Sequence, residues 1–157
     1  MNKILFVCTG NTCRSPLAAA MANQVFNEKG LDLVAESCGI FASDGAPASH
    51  SSQRIAQEIY GLDISSHKAR LKTVDMRIEA TLVVCMTHTH KSNILKDCIC
   101  CKFDPCNGCK EKTFTFKELA NEMADIEDPF SGDLEAYKMC AEQMKSYIDK
   151  IDWRKYV

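Results

Sequence analysis

The sequence has no long apolar segment. No stretch approaches the roughly 18 apolar residues of a membrane-spanning helix, and the apolar run at residues 4–7 is too short for the core of a secretory signal peptide. We therefore expect a cytoplasmic protein with no membrane partner. Without an export signal, free thiols, catalysis or metal binding explain its cysteines better than disulfide bonds do.

The sequence also lacks an excess of charge of one sign, internal repeats and any linker-like segment. Its 19 basic and 21 acidic residues give a net charge of −2, so no nucleic-acid partner is expected. A chain of 157 residues buries one sizeable core and has little left for a second. We expect a single domain spanning residues 1–157, and the sequence leaves its oligomeric state open.

What the sequence does contain is an alternation of strand-like and helix-like segments. Short apolar, β-rich runs alternate with stretches that carry apolar residues at helical spacing. Such alternation is typical of a parallel sheet with helices on both faces, so we predict a three-layer α/β/α fold with four parallel strands. The predicted strands lie at residues 3–7, 33–37, 81–86 and 113–116. The first predicted helix begins at Ser15 or Pro16, because Ser15 is a good N-cap residue and proline is favoured at the first helical position. Other helices are predicted at residues 49–60, 73–79 and 134–151.

The loop after the first predicted strand carries the most specific chemistry. Five residues separate Cys8 from Arg14, a spacing that lets successive backbone N–H groups surround a phosphate-sized anion. The following helix would aim its N-terminus at the same point, which favours the nucleophilic thiolate form of a cysteine. Arg14 could hold two phosphoryl oxygens in a bidentate fork. The predicted phosphate-binding residues are Thr9, Gly10, Asn11, Thr12, Cys13, Arg14 and Ser15.

The Cys8 to Arg14 spacing alone also fits a buried structural cysteine and a surface arginine. Its context favours the phosphate site, because the loop follows a predicted strand and contains Gly10 and Asn11, which tolerate unusual backbone dihedrals. It then leads through Ser-Pro into a helix, the setting that such a site requires. We therefore interpret Cys8 as a catalytic nucleophile.

Two segments resemble the low-molecular-weight protein tyrosine phosphatase family. Residues 7–16, Val-Cys-Thr-Gly-Asn-Thr-Cys-Arg-Ser-Pro, resemble the family's signature loop. Residues 128–130, Asp-Pro-Phe, resemble its second signature, an Asp-Pro-aromatic loop. The likeness covers about residues 3–97 and 113–152, and it implies the flavodoxin-like topology of the family.

The resemblance also assigns roles to residues. Cys8 would be the nucleophile that forms a phosphocysteine intermediate, Arg14 the phosphate clamp and Asp128 the general acid. The substrates would be phosphorylated proteins or peptides, and catalysis would need no cofactor. The hydrogen-bonded network that holds the phosphate loop in shape would consist of Asn11, Ser15, Ser37 and His67.

Cys13 is a second thiol in the same loop. The resemblance implies that it forms a reversible disulfide with Cys8 and so protects the nucleophile from further oxidation, which would make the enzyme redox-regulated. The alternative is that Cys13 is a small buried side chain that packs beneath the loop.

Two residues bear on which phosphorylated side chain is the substrate. Tyrosine-specific members usually have a bulky aliphatic residue at the position of Thr12, and Tyr or Trp at that of Phe130. The branch resembling protein arginine phosphatases has Thr, whose hydroxyl can interact with a guanidine nitrogen. We therefore expect a protein arginine phosphatase, with a tyrosine phosphatase as the alternative. An arsenate reductase would need relay cysteines such as Cys85 and Cys98, and a thiol or metal sensor would centre on residues 98–109.

A cysteine-rich insertion at about residues 98–112 lies outside the likeness. Five of the ten cysteines fall between positions 98 and 109, and two Cys-x-x-Cys pairs at this spacing can form a closed tetrahedral zinc site. Alternatively, Cys100 replaces one ligand, or the segment is a solvated loop whose thiols are free or oxidise with one another. His88 and His90 lie two positions apart and point away from each other on a helix, so they are not counted as ligands. The candidate structural zinc ligands are Cys98, Cys101, Cys106 and Cys109.

Overall fold

The structure of the protein, a computed structural model, describes residues 1–96 and 108–157. Within them, four parallel strands form one sheet in the order β2-β1-β3-β4. Parallel neighbours require crossover connections, and helices supply these. The strands are β1 (Asn2–Cys8), β2 (Leu33–Gly39), β3 (Leu82–Cys85) and β4 (Thr113–Thr115).

Helices cover both faces of the sheet. Because successive side chains of a strand point to opposite faces, β1 contributes to two separate apolar clusters. Ile4 and Phe6 pack in the larger cluster with residues of the first and last long helices, whereas Leu5 and Val7 pack in the smaller one with Ile94. The helices are α1 (Arg14–Glu28), α2 (His50–Tyr60), α3 (Val74–Glu79), α4 (His88–Lys96), α5 (Phe116–Ala120) and α6 (Leu134–Lys150), followed by a 3-10 helix at Trp153–Tyr156.

The central strand β1 fixes the position of the candidate site. It is hydrogen-bonded to β2 on one side and to β3 on the other, and its last residue, Cys8, is paired with Gly39 of β2. In open parallel sheets, ligands bind beyond the carboxyl ends of the strands, where neighbouring crossovers diverge. Residues 9–13, which join β1 to α1, occupy that place.

The predicted three-layer fold with four parallel strands is confirmed, but the predicted start of the first helix is wrong. The helix begins at Arg14, and its N-cap residue, Cys13, makes no side-chain capping bond. The Ser15 hydroxyl, which a local rule assigns to capping, instead bonds to side chains of the loop. The next two helices are capped by side chains, since Ser49 Oγ accepts from Ser52 N–H and Thr73 Oγ1 from Met76 N–H.

The remaining differences lie at element ends and in short elements. β2 runs two residues further than predicted, to Gly39, and α4 and α5 are helices that the sequence patterns did not predict. In the described parts of the chain, no helix is both long and apolar enough to cross a lipid bilayer.

Candidate active site

A pocket of about 280 Å³ opens where β1 gives way to α1. Two segments distant in sequence build it: residues 8–14, which run from the end of β1 through the loop to the start of α1, and the turn that precedes α6. Its predicted catalytic residues therefore lie together. The lining residues are Cys8, Thr9, Gly10, Thr12, Cys13, Arg14, Asp128 and Phe130.

The loop is held against the end of β2. The amide of Ile40 donates to the carbonyl of Cys8 at 3.0 Å, and that of Phe41 to the carbonyl of Thr9 at 2.9 Å. A Cβ at Gly39 would approach the Thr9 carbonyl oxygen to 2.4 Å, so a side chain there would displace the loop. The requirement for glycine at this position is thus a matter of close backbone approach.

Asn11 is the centre of the predicted network. It is fully buried and adopts a left-handed backbone conformation with φ of 55°. Its Nδ2 donates to Ser15 Oγ at 2.8 Å and to Ser37 Oγ at 2.9 Å, while His67 Nε2 lies 2.7 Å from its carbonyl oxygen. The structure therefore brings the four predicted network residues together. It adds Arg70, whose backbone N–H donates to Asn11 Oδ1 at 2.9 Å.

The network ends at Cys8, whose Sγ lies 2.8 Å from Ser15 Oγ. Because Asn11 donates to the Ser15 oxygen, the hydroxyl hydrogen of Ser15 remains to be donated. Cys8 Sγ is its nearer acceptor, since the carbonyl of Cys38 lies at 3.4 Å. The Ser15 hydroxyl is therefore placed to stabilise negative charge on the Cys8 sulfur.

Arg14 lies beneath the pocket, with a side chain that is 4% exposed. Its Nη1 donates to the carbonyl of Ile126 at 2.9 Å, and its Nη2 lies 3.4 Å from both Thr9 Oγ1 and Asp128 Oδ2. These contacts therefore fix the orientation of the guanidinium before a substrate binds. Sequence reasoning did not identify the Ile126 carbonyl, because a backbone acceptor carries no side-chain signal.

Asp128 belongs to a tight turn that is shaped by its own residues. Its Oδ1 accepts from the Phe130 amide at 3.0 Å, and Ser131 has a positive φ of 66°. A Cβ at Gly132 would approach Ala136 Cβ to 2.6 Å, so the turn packs closely on the start of α6. The Asp128 side chain is 48% exposed, which leaves it open to water as well as to the pocket.

Cys13 and Thr12 occupy the wall of the loop that faces α2 and α6. Cys13 Sγ donates to Ser49 Oγ at 3.3 Å and lies 4.0 Å from the Tyr137 hydroxyl. Burial, followed by the neighbouring Cys13, raises the pKa of Tyr137 to about 12. Thr12 Oγ1 lies 3.8 Å from Cys13 Sγ, and Thr12 lines the pocket.

His90 is a site residue that sequence reasoning missed. It is 3% exposed, and its Nε2 lies 2.9 Å from Thr9 Oγ1. Burial, followed by the charge of Arg14, lowers the pKa of His90 to about 4. As the spacing of two predicts, His88 lies on the exposed side of the same helix. The available signal was Thr87-x-x-His90, a pattern similar to a helix capping box.

The predicted zinc ligands fall mostly outside the described residues. Cys98, Cys101 and Cys106 lie there, whereas Cys109 is described and buried. Residues 1–96 and 108–157 contain no group of three or more His, Cys, Asp or Glu side chains placed to hold a metal ion. Cys85, the described candidate for an arsenate-reducing relay, is completely buried in β3, and burial raises its pKa.

The sequence profile of a known family matches this fold and site. The profile described as low molecular weight phosphotyrosine protein phosphatase covers residues 3–152. The chain belongs to this family. This low-molecular-weight phosphatase is 35% identical over 150 residues to the protein-arginine-phosphatase of Geobacillus stearothermophilus. The aligned region covers 95% of this chain and 93% of that relative.

Solved structures agree with that membership. The crystal structure of a low molecular weight protein tyrosine phosphatase from T. tengcongensis has a TM-score of 0.86 and 38% identity, over 96% of this chain and 97% of its own. A cysteine-to-serine mutant of YwlE arginine phosphatase, solved with a phosphorylated active-site serine, has a TM-score of 0.82 and 31% identity, over 94% and 91%. The predicted family, fold and enzyme class are thus confirmed.

Proposed function

We propose that this phosphatase removes phosphate from phosphoarginine side chains of proteins by way of a phosphocysteine intermediate. The observation that carries the proposal is the meeting of Cys8, Arg14 and Asp128 in one pocket. The three residues supply a nucleophile, a fixed cation and an acid within a single anion-sized space. The mutant relative whose active-site serine carries phosphate supports a covalent phosphoenzyme.

In the first step, the Cys8 thiolate attacks phosphorus while the P–N bond of phosphoarginine breaks. The phosphoryl group passes to sulfur, and the departing guanidine nitrogen takes a proton from the Asp128 carboxyl. Arg14 supports this step because the charge of a transferring phosphoryl group is spread over its equatorial oxygens. The bond to the Ile126 carbonyl keeps the guanidinium aimed as the reaction proceeds.

In the second step, a water molecule attacks the phosphorus of phosphocysteine. The Asp128 carboxylate accepts a proton from that water, the S–P bond breaks, and inorganic phosphate leaves with Cys8 restored as the thiolate. The Ser15 hydroxyl, 2.8 Å from the sulfur, stabilises the departing thiolate. Catalysis in this scheme uses side chains and water alone, without a cofactor.

Thr12 supports phosphoarginine as the substrate. It lines the pocket together with the proposed acid, and its hydroxyl oxygen can accept a hydrogen bond from a guanidine N–H. A bulky aliphatic side chain there would leave that N–H without a partner, and discrimination becomes large when a buried polar group is left unpaired. The arginine-phosphatase name of the Geobacillus stearothermophilus relative points in the same direction.

Phosphotyrosine is the second candidate substrate. The T. tengcongensis relative carries a tyrosine-phosphatase name at a similar identity. Phe130 lies at the pocket with a side chain that is 75% exposed, so its ring is available to pack against an aryl group. Such stacking is favourable but does not require an aromatic substrate.

A side-by-side assay of phosphoarginine and phosphotyrosine peptides tests the substrate. The wild type should have the larger kcat/KM for phosphoarginine, and Thr12→Ile should reduce that preference by at least about tenfold, since one lost hydrogen bond in a desolvated site has this magnitude. The matched control is Thr89→Ile, at an exposed position in α4. A buried threonine such as Thr113 would not serve, because isoleucine there would perturb the core. A wild-type preference for phosphotyrosine would contradict the assignment.

We also propose a structural zinc site in the insertion, formed by Cys98, Cys101, Cys106 and Cys109. The pairing of the four thiols in the sequence supports it, as does the burial of Cys109 at 3% exposure. Elemental analysis of protein purified under reducing conditions should find about one zinc per chain. Protein that contains no zinc, yet is stable and active, would contradict the site.

A further inference from the structure

His90 contacts the phosphate loop from the first turn of α4. Its Nδ1 accepts from the Thr87 amide at 3.1 Å, so the ring carries its hydrogen on Nε2. That hydrogen is donated to Thr9 Oγ1, 2.9 Å away. The backbone of α4 therefore selects the tautomer that donates to the loop.

Thr9 receives a second donor at the same oxygen. Arg14 Nη2 lies 3.4 Å from Thr9 Oγ1. A hydroxyl has two lone pairs and one hydrogen, and the two donors occupy both lone pairs. The hydroxyl hydrogen is left to be donated, and Thr9 lines the pocket with Cys8 and Arg14.

We infer that His90 is a positioning residue of the phosphatase reaction, acting through Thr9. The hydrogen bond from His90 to Thr9 Oγ1 orients the Thr9 hydroxyl so that it donates its hydrogen to a phosphoryl oxygen. The same bond holds in place the oxygen that Arg14 Nη2 contacts. The inference rests on the proposed function of Cys8 and Arg14. Since preorganised donors contribute most where charge develops in the transition state, the effect of His90 belongs mainly in kcat.

The charge state of His90 agrees with this role. Burial and the charge of Arg14 lower the pKa of His90, and together they outweigh Asp128 and Asp125, which raise it. The resulting pKa is about 4, so the ring is neutral at pH 7. Protonation would place a hydrogen on Nδ1 against the Thr87 N–H that now donates to it. A neutral ring orients Thr9 without placing a second cation beside Arg14.

Two substitutions separate the two bonds of the ring. In His90→Asn, Oδ1 replaces Nδ1 and still accepts from Thr87, but the shorter side chain does not reach Thr9. In His90→Gln, Nε2 replaces the ring Nε2 and still donates to Thr9, while the acceptor for Thr87 is lost. The matched control is His88→Asn, on the exposed side of the same helix.

The measurement is steady-state hydrolysis of para-nitrophenyl phosphate at pH 7, with thermal midpoints to establish folding. His90→Asn should lower kcat about tenfold with KM changed less than threefold, the scale of one hydrogen bond. His90→Gln should recover most of the loss, and His88→Asn should match the wild type. In a Thr9→Val background, His90→Asn should cause little further loss, because the two residues act through one bond.

Equal losses in the Asn and Gln variants, or wild-type kcat in both, would overturn the positioning role. Additive losses in the Thr9→Val background would overturn the route through Thr9. All variants keep Cys8. A wild type that releases no phosphate would refute the proposed function. An active wild type whose His90 variants do not show the expected kcat values would refute only the role of His90.

Discussion

The Oγ atom of Ser15 lies 2.8 Å from the Sγ atom of Cys8, inside the first turn of α1. Asn11 donates to the same oxygen, so the hydroxyl of Ser15 points its hydrogen toward sulfur. The Ser15 side chain thereby connects Asn11, the loop residue with a left-handed backbone conformation, to the proposed nucleophile Cys8. This relay explains why a serine at a helix start is not used to cap it.

Removing this hydroxyl should slow the release of phosphate from the enzyme. Ser15→Ala deprives the departing thiolate of its donor, and loss of one preorganised donor costs roughly 10 to 1000-fold in kcat. Rapid-quench kinetics should show phosphoenzyme accumulating in this variant. Exposed Ser65→Ala should behave as the wild type, and a kcat for Ser15→Ala within twofold of the wild type would refute the relay.

Replacing the clamp while keeping its charge should also be costly. Arg14→Lys cannot present a planar fork to two phosphoryl oxygens and cannot keep the bond to Ile126 while doing so. We expect kcat/KM to fall by about 100-fold or more. The control is Arg54→Lys, which alters an exposed ion pair with Glu58 and should leave kinetics unchanged. Near-normal activity of Arg14→Lys would show that charge alone suffices.

Cys13 should protect Cys8 from peroxide. Peroxide oxidises the Cys8 thiolate to a sulfenic acid, and attack by the Cys13 sulfur then forms the disulfide with release of water. Wild-type activity should return after dithiothreitol, whereas Cys13→Ser should lose activity irreversibly. Peptide mapping without reductant should find Cys8 linked to Cys13 in the wild type. Full recovery of the Cys13→Ser variant would contradict the protective role.

The buried state of His90 should make stability sensitive to acid. The pKa of this ring is about 4 in the folded protein and near its ordinary value of 6.5 when unfolded, so between these limits the unfolded chain binds a proton that the native state does not. Stability is therefore retained above pH 6.5 and lost as the pH falls toward 4.

Urea unfolding at pH 7 and pH 5 measures this sensitivity. Between pH 7 and pH 5 the free energy of unfolding of the wild type should fall by roughly 2 kcal/mol more than that of His90→Asn. Each pH unit below 6.5 contributes about 1.4 kcal/mol to this difference. Other titrating groups affect both proteins and cancel in the comparison. Identical pH dependence of the two would show that His90 is not held neutral.

Local patterns in the sequence predicted most of the architecture and the reacting residues. Alternating apolar runs predicted the four strands, and the spacing around Cys8 predicted the loop. The family resemblance, rather than a local pattern, implied Asp128 and the loop's partners Ser37 and His67. The cap assigned to Ser15 was wrong because a helix-start rule considers only the backbone N–H groups nearby, whereas buried side chains offered the hydroxyl better partners.

The unpredicted parts of the site depend on tertiary packing. His90, the Arg70 amide and the Ile126 carbonyl come from crossovers far along the chain, and they reach the loop only because β2 and β3 flank β1. Two of these three groups are backbone atoms, which any residue type could supply. No residue pattern distinguishes these two backbone groups before the sheet order is known.

The most direct test of the central claim is a search for phosphate on Cys8. Asp128→Ala, mixed with an aryl phosphate that has a good leaving group and quenched rapidly in acid, should yield a Cys8 peptide heavier by one phosphoryl group, because the first step proceeds without the acid while the second lacks its base. The same experiment in Cys8→Ser should yield no turnover. Phosphate release that continues at the wild-type rate in Cys8→Ser would contradict the account.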